Sequence, residues 1–144
     1  MRWFAASLLL ILSACGAPQA RHGVEITSAW ARPSPGGVDV AAGYLTIVNH
    51  AATADQLVSA QSPRATRVDV HVMEMTGEMM NMHGTQGGLP IPAGGALKLE
   101  PGGAHLMFQG VTAPFVLGES IPVTLHFAHA GDVAATLVVK QDAN

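Results

Sequence analysis

The sequence predicts an all-β protein with a single domain, built as an antiparallel sandwich or barrel. Short apolar runs with period-two alternation recur along the chain, and no stretch shows a sustained helical period. Gly (16) and Pro (9) fall between these runs, as turn residues fall between strands. With 144 residues the chain is long enough for one core rather than two. Short antiparallel strands usually bury their apolar faces in a sandwich or a barrel.

The predicted strands follow one another from residue 24 to residue 140. They cover Val24–Trp30, Val38–Val48, Gln56–Ala60, Arg67–Met75, Ala96–Glu100, Ala104–Phe108, Pro122–Ala128 and Val133–Lys140, with a further short apolar element at Phe115–Leu117. The last two strands are predicted to form a hairpin about Gly131. The connections at 31–37 and 87–95 are rich in Pro and Gly and are predicted as loops.

The first residues have the features of a targeting segment. A positive start is followed by an apolar run that is too short to span a bilayer and is typical of a signal peptide. The end of this run, Leu12–Cys15, resembles the lipobox of bacterial lipoproteins, which implies cleavage before Cys15 and its acylation. The sequence is therefore divided into a signal peptide (1–14), a lipidated tether (15–22) and a β domain (23–144). Cleavage after Ala20, which would release a soluble exported protein, is the alternative.

The composition excludes several classes of function. Only seven Lys and Arg are spread along a chain of net charge −3, so no basic surface for nucleic acid is expected. No nucleophile–base pair, phosphate loop or paired-carboxylate site is recognisable, so we expect no enzymatic activity. Cys15 is the only cysteine. If it carries lipid, the folded domain has no thiol, and any soft metal site there must be built without cysteine.

Methionine and histidine are concentrated in one stretch. The segment HVMEMTGEMMNMH, residues 71–83, holds five of the seven methionines and two histidines. In the strand that begins it, valines 68, 70 and 72 share one face, which leaves His71 and Met73 on the other. In the strand 104–108, His105 and Met107 lie opposite Leu106 and Phe108. Two strands thus each present a His-x-Met pair on the face away from their core residues.

These methionines have two interpretations. A single Met is more often core filler than ligand, because its flexible side chain fills irregular gaps. However, Met79, Met80 and Met82 lie in a polar segment that contains glycine, which is a poor place for core filler. Thioether sulfur suits Cu(I) and is a poor ligand for zinc, calcium or magnesium. A blue-copper centre would require a cysteine thiolate, and a catalytic Cu(II) site would favour histidine nitrogens and an open position.

The spacing of these residues resembles that of the periplasmic copper chaperones called PCu(A)C proteins. Their signature is His, ten residues, Met, twenty-one residues, His-x-Met. Here ten residues separate His71 from Met82, and twenty-two separate Met82 from His105-Leu106-Met107. The extra residue is placed in the loop 83–88. The segments 29–32, 41–49 and the final strands also match, so the resemblance covers about residues 22–139.

The resemblance implies a cupredoxin-like fold that binds one Cu(I) ion through His71, Met82, His105 and Met107. It implies a periplasmic chaperone, here membrane-anchored at Cys15, that delivers copper toward the Cu(A) subunit of cytochrome c oxidase, alone or with a Sco-type thiol protein. A general role in copper homeostasis and a metal-free adhesion or scaffold sandwich are the alternatives.

The remaining methionines and histidines have lesser predicted roles. Five of them could form an exchange path or a weaker second site, or shield the copper from water. These are Met73, Met75, Met79, Met80 and His83. A structural or exposed position is expected for His22, His50, His126 and His129.

Overall fold

Ten β-strands make up the regular structure of residues 23–84 and 87–142, the ranges that the computed structural model describes. They are β1 (Val24–Ala31), β2 (Val40–Asn49), β3 (Asp55–Gln61), β4 (Ala65–Thr76), β5 (Met79–Gly84), β6 (Leu89–Ile91), β7 (Ala96–Leu99), β8 (His105–Val111), β9 (Ser120–Phe127) and β10 (Gly131–Val139). Within those ranges no helix is long and apolar enough to cross a membrane. The predicted signal peptide and tether lie outside the described residues.

Seven of the strands close into a barrel. The order β4-β8-β2-β1-β10-β9-β3 returns to β4 through the pairing of Ala60 with Val68. All these pairs are antiparallel except β1 with β10, which run parallel where Trp30 lies opposite Val138. Closure leaves few free edges, which is how barrels avoid exposing unpaired backbone groups. The predicted all-β, single-domain fold is confirmed.

Three short strands flank the barrel. β5 pairs with the outer part of β4 to form a hairpin, β6 pairs with β3, and β7 pairs with β2 beside β8. The β4–β5 turn contains Gly77, whose φ of 66° is favourable for glycine and costly for other residues. This allows a two-residue connection and keeps β5 in register with β4.

Apolar residues at alternate strand positions fill the barrel interior. On β8, Leu106 and Phe108 are fully buried, and on β4, Val68 and Val70 are nearly so. The largest fully buried side chains are Phe108, Phe115, Phe127, Leu45, Ile47, Leu57, Ile91, Leu106, Ile121, Leu125, Leu137 and Val123. The inward faces predicted for β4 and β8 are therefore correct.

In three segments the secondary structure was left open by the sequence or differs from the prediction. The polar segment after Gly77 is strand β5, and the predicted loop 87–95 contains strand β6. In contrast, Phe115–Leu117 forms no strand. Phe115 is buried against Phe108, with ring centroids 5.3 Å apart, whereas Val116 and Leu117 are exposed in the loop between β8 and β9. Phe115 therefore helps to close the barrel interior, and the segment does not extend a sheet.

Strand direction gives the barrel two distinct ends. The end that we call the hairpin end contains the start of β1 and the turns at 50–54, 77–78, 92–95 and 128–130. The opposite end, called the loop end, contains the connections at 32–39, 62–64 and 112–119. The β4–β5 hairpin projects toward the hairpin end from a position midway along the barrel wall.

A buried carboxylate fastens the β9–β10 turn to the start of β3. Asp55, only 8% exposed, accepts hydrogen bonds from the backbone N–H groups of Gln56 at 2.7 Å and of His129 and Ala130 at 2.9 Å each. Burial raises the pKa of Asp55, but the three backbone donors outweigh it and hold the pKa below its ordinary value of 3.8. The charged form therefore stabilises the fold.

We expect Asp55→Asn to lower the free energy of unfolding at pH 7 by about 2–3 kcal/mol, because an amide cannot accept from all three donors. Since the folded pKa is lowered, the carboxylate contributes fully above its ordinary pKa and loses its contribution as the pH falls through the folded value. Urea unfolding between pH 2 and pH 7 should show the deficit shrinking on acidification. Asp132→Asn, at a side chain 64% exposed, is the control and should change little. A deficit independent of pH would contradict this account.

Candidate metal site

The two strand-borne histidines lie side by side. His71 on β4 pairs directly with His105 on β8, and their ring centroids are 5.7 Å apart with the planes nearly perpendicular. Directly opposed residues in an antiparallel pair project from the same face, so the register alone brings both imidazoles together. The histidines that the sequence separates by 34 residues thus form one cluster.

The ring of His105 is oriented by a backbone contact. Its Nδ1 lies 3.2 Å from the carbonyl oxygen of Gly103. Because a carbonyl only accepts, Nδ1 carries the hydrogen, and in the neutral imidazole Nε2 then has a free lone pair. Metal-binding histidines typically donate their other ring N–H to a carbonyl or carboxylate in this way, which fixes the tautomer and the ring direction.

His105 is more deeply covered than the sequence predicts. Its position opposite Leu106 suggested an uncovered side chain, yet it is only 7% exposed. Tyr44 on the adjacent strand β2 lies against it, with ring centroids 6.5 Å apart, and Trp30 packs on Tyr44 at 4.6 Å. Burial raises the pKa of the Tyr44 hydroxyl, with the charge of Arg32 acting in the opposite direction. An aromatic wall therefore covers the His105 side of the cluster.

The two predicted methionine ligands occupy neighbouring register positions. Met107 follows His105 on the same face of β8, is half-buried, and lies opposite Asp69 of β4. The backbone of Met82 on β5 pairs with that of Met73, two residues beyond His71 on β4. The side chain of Met82 lies outside the described part of the structure. The backbone thus brings the four predicted ligand positions onto three adjacent strands, β5, β4 and β8.

A carboxylate that the sequence analysis did not assign to the site borders it. Asp69 Oδ2 lies 4.0 Å from His71 Nε2. It accepts hydrogen bonds from Arg67 Nε at 2.8 Å and Gln109 Nε2 at 2.6 Å. Strand alternation placed Asp69 on the face of His71, but its partner Gln109 belongs to β8 and becomes visible only once the register is known. The cluster therefore has one negative charge at its edge, partly offset by Arg67.

An open groove reaches the cluster from the side. It has a volume of about 330 Å³, and its lining includes Val58, Ser59, Asp69, His71 and Gly84. The groove lies where β3 and β4 diverge beyond their pairing at Ala60 and Val68. The His71 side chain is 16% exposed, so an ion has a route to it without disruption of the barrel.

The donor set determines which ions the site fits. Within residues 23–84 and 87–142, no group of three or more His, Cys, Asp or Glu side chains is arranged to hold a metal ion. A zinc or hard-cation site of nitrogen and oxygen ligands is therefore not formed by the described residues. Two imidazoles with neighbouring thioether positions are the donors that soft Cu(I) prefers.

The other histidines with described side chains lie away from this cluster. His126 pairs with Asp132 at 2.5 Å and His50 with Glu25 at 2.8 Å, and all four side chains are more than half exposed. His129 is exposed in the β9–β10 turn, and His22 lies outside the described residues. Exposed ion pairs of this kind contribute little to stability. The surface positions predicted for His50, His126 and His129 are correct.

The additional methionines follow the β4–β5 hairpin away from the cluster. Met73 is half-buried, and Met79, beside the turn, is 69% exposed. The side chains of Met75, Met80 and His83 are outside the described set, but their backbones belong to the same hairpin. The backbone register places Met73, Met75, Met80 and Met82 on the face of His71, and Met79 and His83 on the opposite face. A series of methionine positions therefore follows one face of the hairpin from His71 toward the turn.

The fold and this arrangement define the structural class. The copper-bound PCuAC domain from PmoF2 superposes with a TM-score of 0.69 at 22% identity, covering 83% of this chain and 94% of that one. Apo-DR1885 from Deinococcus radiodurans matches with a TM-score of 0.64 at 26% identity over 99% and 95%. Its Cu(I) form matches at 0.58 and 28% over 81% and 79%. The protein therefore has the cupredoxin-like barrel of PCuAC domains, as the sequence resemblance implied.

At the level of sequence, the chain belongs to the LpqE-like family. Residues 24–139 match that family, whose description is "Putative lipoprotein LpqE-like". The "Putative lipoprotein Lxx21020" of Leifsonia xyli subsp. xyli is 31% identical over 118 residues, which are 82% of this chain and 70% of that relative. The match spans nearly the whole barrel, from β1 to the end of β10.

Proposed function

We propose that the protein is an extracytoplasmic copper chaperone that carries one Cu(I) ion on His71, Met82, His105 and Met107. The observation that supports this most directly is the pairing of His71 with His105, whose rings are 5.7 Å apart. Copper is the cargo of such a protein, so the relevant chemistry is binding and release without a catalytic step.

The orientation of His105 suits a ligand. With Nδ1 donating to Gly103, the remaining nitrogen is available to the ion. Met107 is the next residue on that face, and the backbone register adds the position of Met82. Neutral nitrogen and sulfur ligands favour the reduced ion, and the absence of a thiol in the domain suits an oxidising compartment.

Structural relatives above 25% identity support copper as the cargo. One of them is described as the Cu(I) form of DR1885, at 28% identity. The histidine and methionine positions that the PCu(A)C signature implies as ligands are the ones that the barrel brings onto neighbouring strands here. The resemblance in sequence and the register of the strands thus support the same ligand set.

The site is suited to exchange more than to storage. Four neutral ligands leave the charge of Cu(I) uncompensated except for Asp69 at the margin, so binding is of intermediate strength. The groove beside His71 and the exposed Met79 provide access for an acceptor. We assign Met73, Met75 and Met80, whose register positions share the face of His71, to an exchange path along the hairpin. Met79 and His83 lie on the opposite face, where they serve at most to shield the copper or to contact the acceptor.

The proposed acceptor is the Cu(A) subunit of cytochrome c oxidase, reached directly or through a Sco-type thiol protein. The proposed location is the outer face of a membrane, in the periplasm where the cell has one, with the chain anchored through acylated Cys15. The lipobox at Leu12–Cys15 supports anchoring, and so do the lipoprotein names of the family and of its relative from Leifsonia xyli. Nucleic acid is not proposed as a partner, because only seven Lys and Arg are spread along the chain.

Titration of the metal-free protein with Cu(I) against a competing chelator should show one ion bound more tightly than micromolar. His105→Ala and Met107→Ala should each weaken binding by about tenfold or more, because each removes one ligand. X-ray absorption of the loaded protein should show both nitrogen and sulfur ligation.

His126→Ala is the matched control, since this histidine lies in an exposed ion pair on β9, which strand β3 separates from β4. Circular dichroism and urea unfolding should show all three variants folded, because neither His105 nor Met107 belongs to the apolar core. Binding of the parent protein no tighter than micromolar would favour the metal-free scaffold instead.

The role of Asp69 is tested by Asp69→Asn. Removal of the charge should weaken binding of Cu(II) by about three- to tenfold and of Cu(I) less, because the Coulomb attraction scales with the ionic charge and is reduced by solvent and by Arg67. The reduction potential of the bound copper should therefore rise. Equal effects on the two ions would contradict an electrostatic role. Asp132→Asn, remote from the site, should change neither affinity.

Delivery is tested by mixing the Cu(I)-loaded protein with the metal-free Cu(A) domain of cytochrome c oxidase, with and without a Sco-type protein. We expect copper to move to the acceptor. The Cu(A) absorption should then appear once both metal positions are filled and added ferricyanide has removed one electron from the pair of Cu(I) ions. Met80→Ala should slow this transfer several-fold and leave the equilibrium affinity unchanged, because the register position of Met80 lies on the path and not in the ligand set. Failure of transfer with affinity intact would favour general copper homeostasis.

A further inference from the structure

We propose that the short tether holds the hairpin end of the barrel toward the membrane, so that the methionine hairpin exchanges copper with an acceptor anchored in the same membrane. This inference rests on the proposed function, specifically on acylation of Cys15. It concerns the orientation of the domain and the kind of partner that the orientation admits.

The first argument is the direction of the strands. β1 begins at Val24, which pairs with Asn49 at the end of β2. β2 and β4 both run antiparallel to β8, so Asn49 and Thr76 lie at the same end of the barrel. The chain therefore enters the barrel at the end toward which the β4–β5 hairpin projects.

The length of the tether limits the orientation that the anchored domain can adopt relative to the membrane. Eight residues, 16–23, connect Cys15 to β1. Eight residues span at most about 28 Å when fully extended. From the start of β1 to the connection at 112–119 is about 12 residues of strand, or about 30 Å along the barrel axis after allowance for strand tilt. The loop end therefore cannot easily face the bilayer while Cys15 remains in it.

Surface composition does not distinguish the two ends. At the hairpin end, the turns at 50–54, 77–78, 92–95 and 128–130 contain Glu78, and the start of β1 adds Glu25. The three connections of the loop end contain Arg32, Asp39, Arg64 and Glu119. Met79 is exposed at the hairpin end, but Val116 and Leu117 are exposed at the loop end. The direction of the strands and the length of the tether therefore determine the orientation.

This orientation determines which kind of copper acceptor can reach the hairpin. The hairpin runs about 16 Å from His71 to the turn, so copper released along it emerges close to the bilayer surface. An acceptor fixed in that membrane, with thiolate, thioether or imidazole ligands a short distance above the lipid, meets the hairpin directly. A freely diffusing acceptor would have access mainly to the loop end, which lacks the methionines.

The test uses the acylated full-length protein in lipid vesicles that contain an acceptor dye at the surface. Glu78→Cys places a fluorophore at the hairpin turn, and Ala113→Cys places one at the loop end of the same strand pair, about 36 Å away along the strands. Cys15 is the only native cysteine and is blocked by its acyl chains, so each label attaches at one position. We expect energy transfer to the membrane dye to be at least threefold more efficient from the residue 78 label.

Lengthening the tether by about twenty Gly and Ser residues should abolish this difference, because the average reach then exceeds half the barrel length. Equal transfer from the two labels with the native tether would overturn the proposal, as would a stronger signal from residue 113. Both labelled variants are first titrated with Cu(I). Loss of binding in the unlabelled parent would refute the chaperone function, whereas retained binding with equal transfer would refute only the orientation.

Discussion

The pairing of β4 with β8 is the constraint on which the site depends. Val68 and Val70 on one strand, and Leu106 and Phe108 on the other, bury the inner face of the pair and thereby fix its register. A slip by one residue would turn these side chains outward and the histidines inward, at a cost of several kcal/mol for the exposed apolar surface. The barrel core thus determines that His71 stands opposite His105. The two histidines need no interaction of their own to come together.

This arrangement separates the stability of the fold from the chemistry at its surface. The interior is apolar and closed, with Asp55 tying the β9–β10 turn to β3 from the hairpin end. The cluster lies on the outer face, between an aromatic wall of Trp30 and Tyr44 and an open groove. One side of the cluster is thus shielded from water and the other is accessible, which is the asymmetry that a protein requires if it is to hold an ion and then release it.

Much of this could be predicted from the sequence, because period-two alternation is a local property. It gave the inward faces of β4 and β8 and the outward position of His71. Features that depend on contacts between neighbouring strands could not be predicted from this local pattern. The burial of His105 comes from Tyr44 on β2, and the contact of Asp69 with Gln109 requires the β4–β8 register. Strand β5 was not predicted, because its residues, MMNMHG, lack the β-branched and aromatic types that are typical of strands. Phe115–Leu117 contains such residues but forms no strand, and Phe115 packs inside the barrel.

The parallel contact between β1 and β10 has a consequence for how the chain acquires its shape. Trp30 and Val138 are 108 positions apart, and their strands are neighbours in the closed ring. Such high contact order makes folding slow relative to helical proteins, since a long loop must be closed before the contact forms. A nascent polypeptide that has not yet reached residue 131 leaves β1 and β9 each with an open edge. Until synthesis is nearly complete, therefore, the chain has unpaired strand edges through which it can pair with other chains and aggregate.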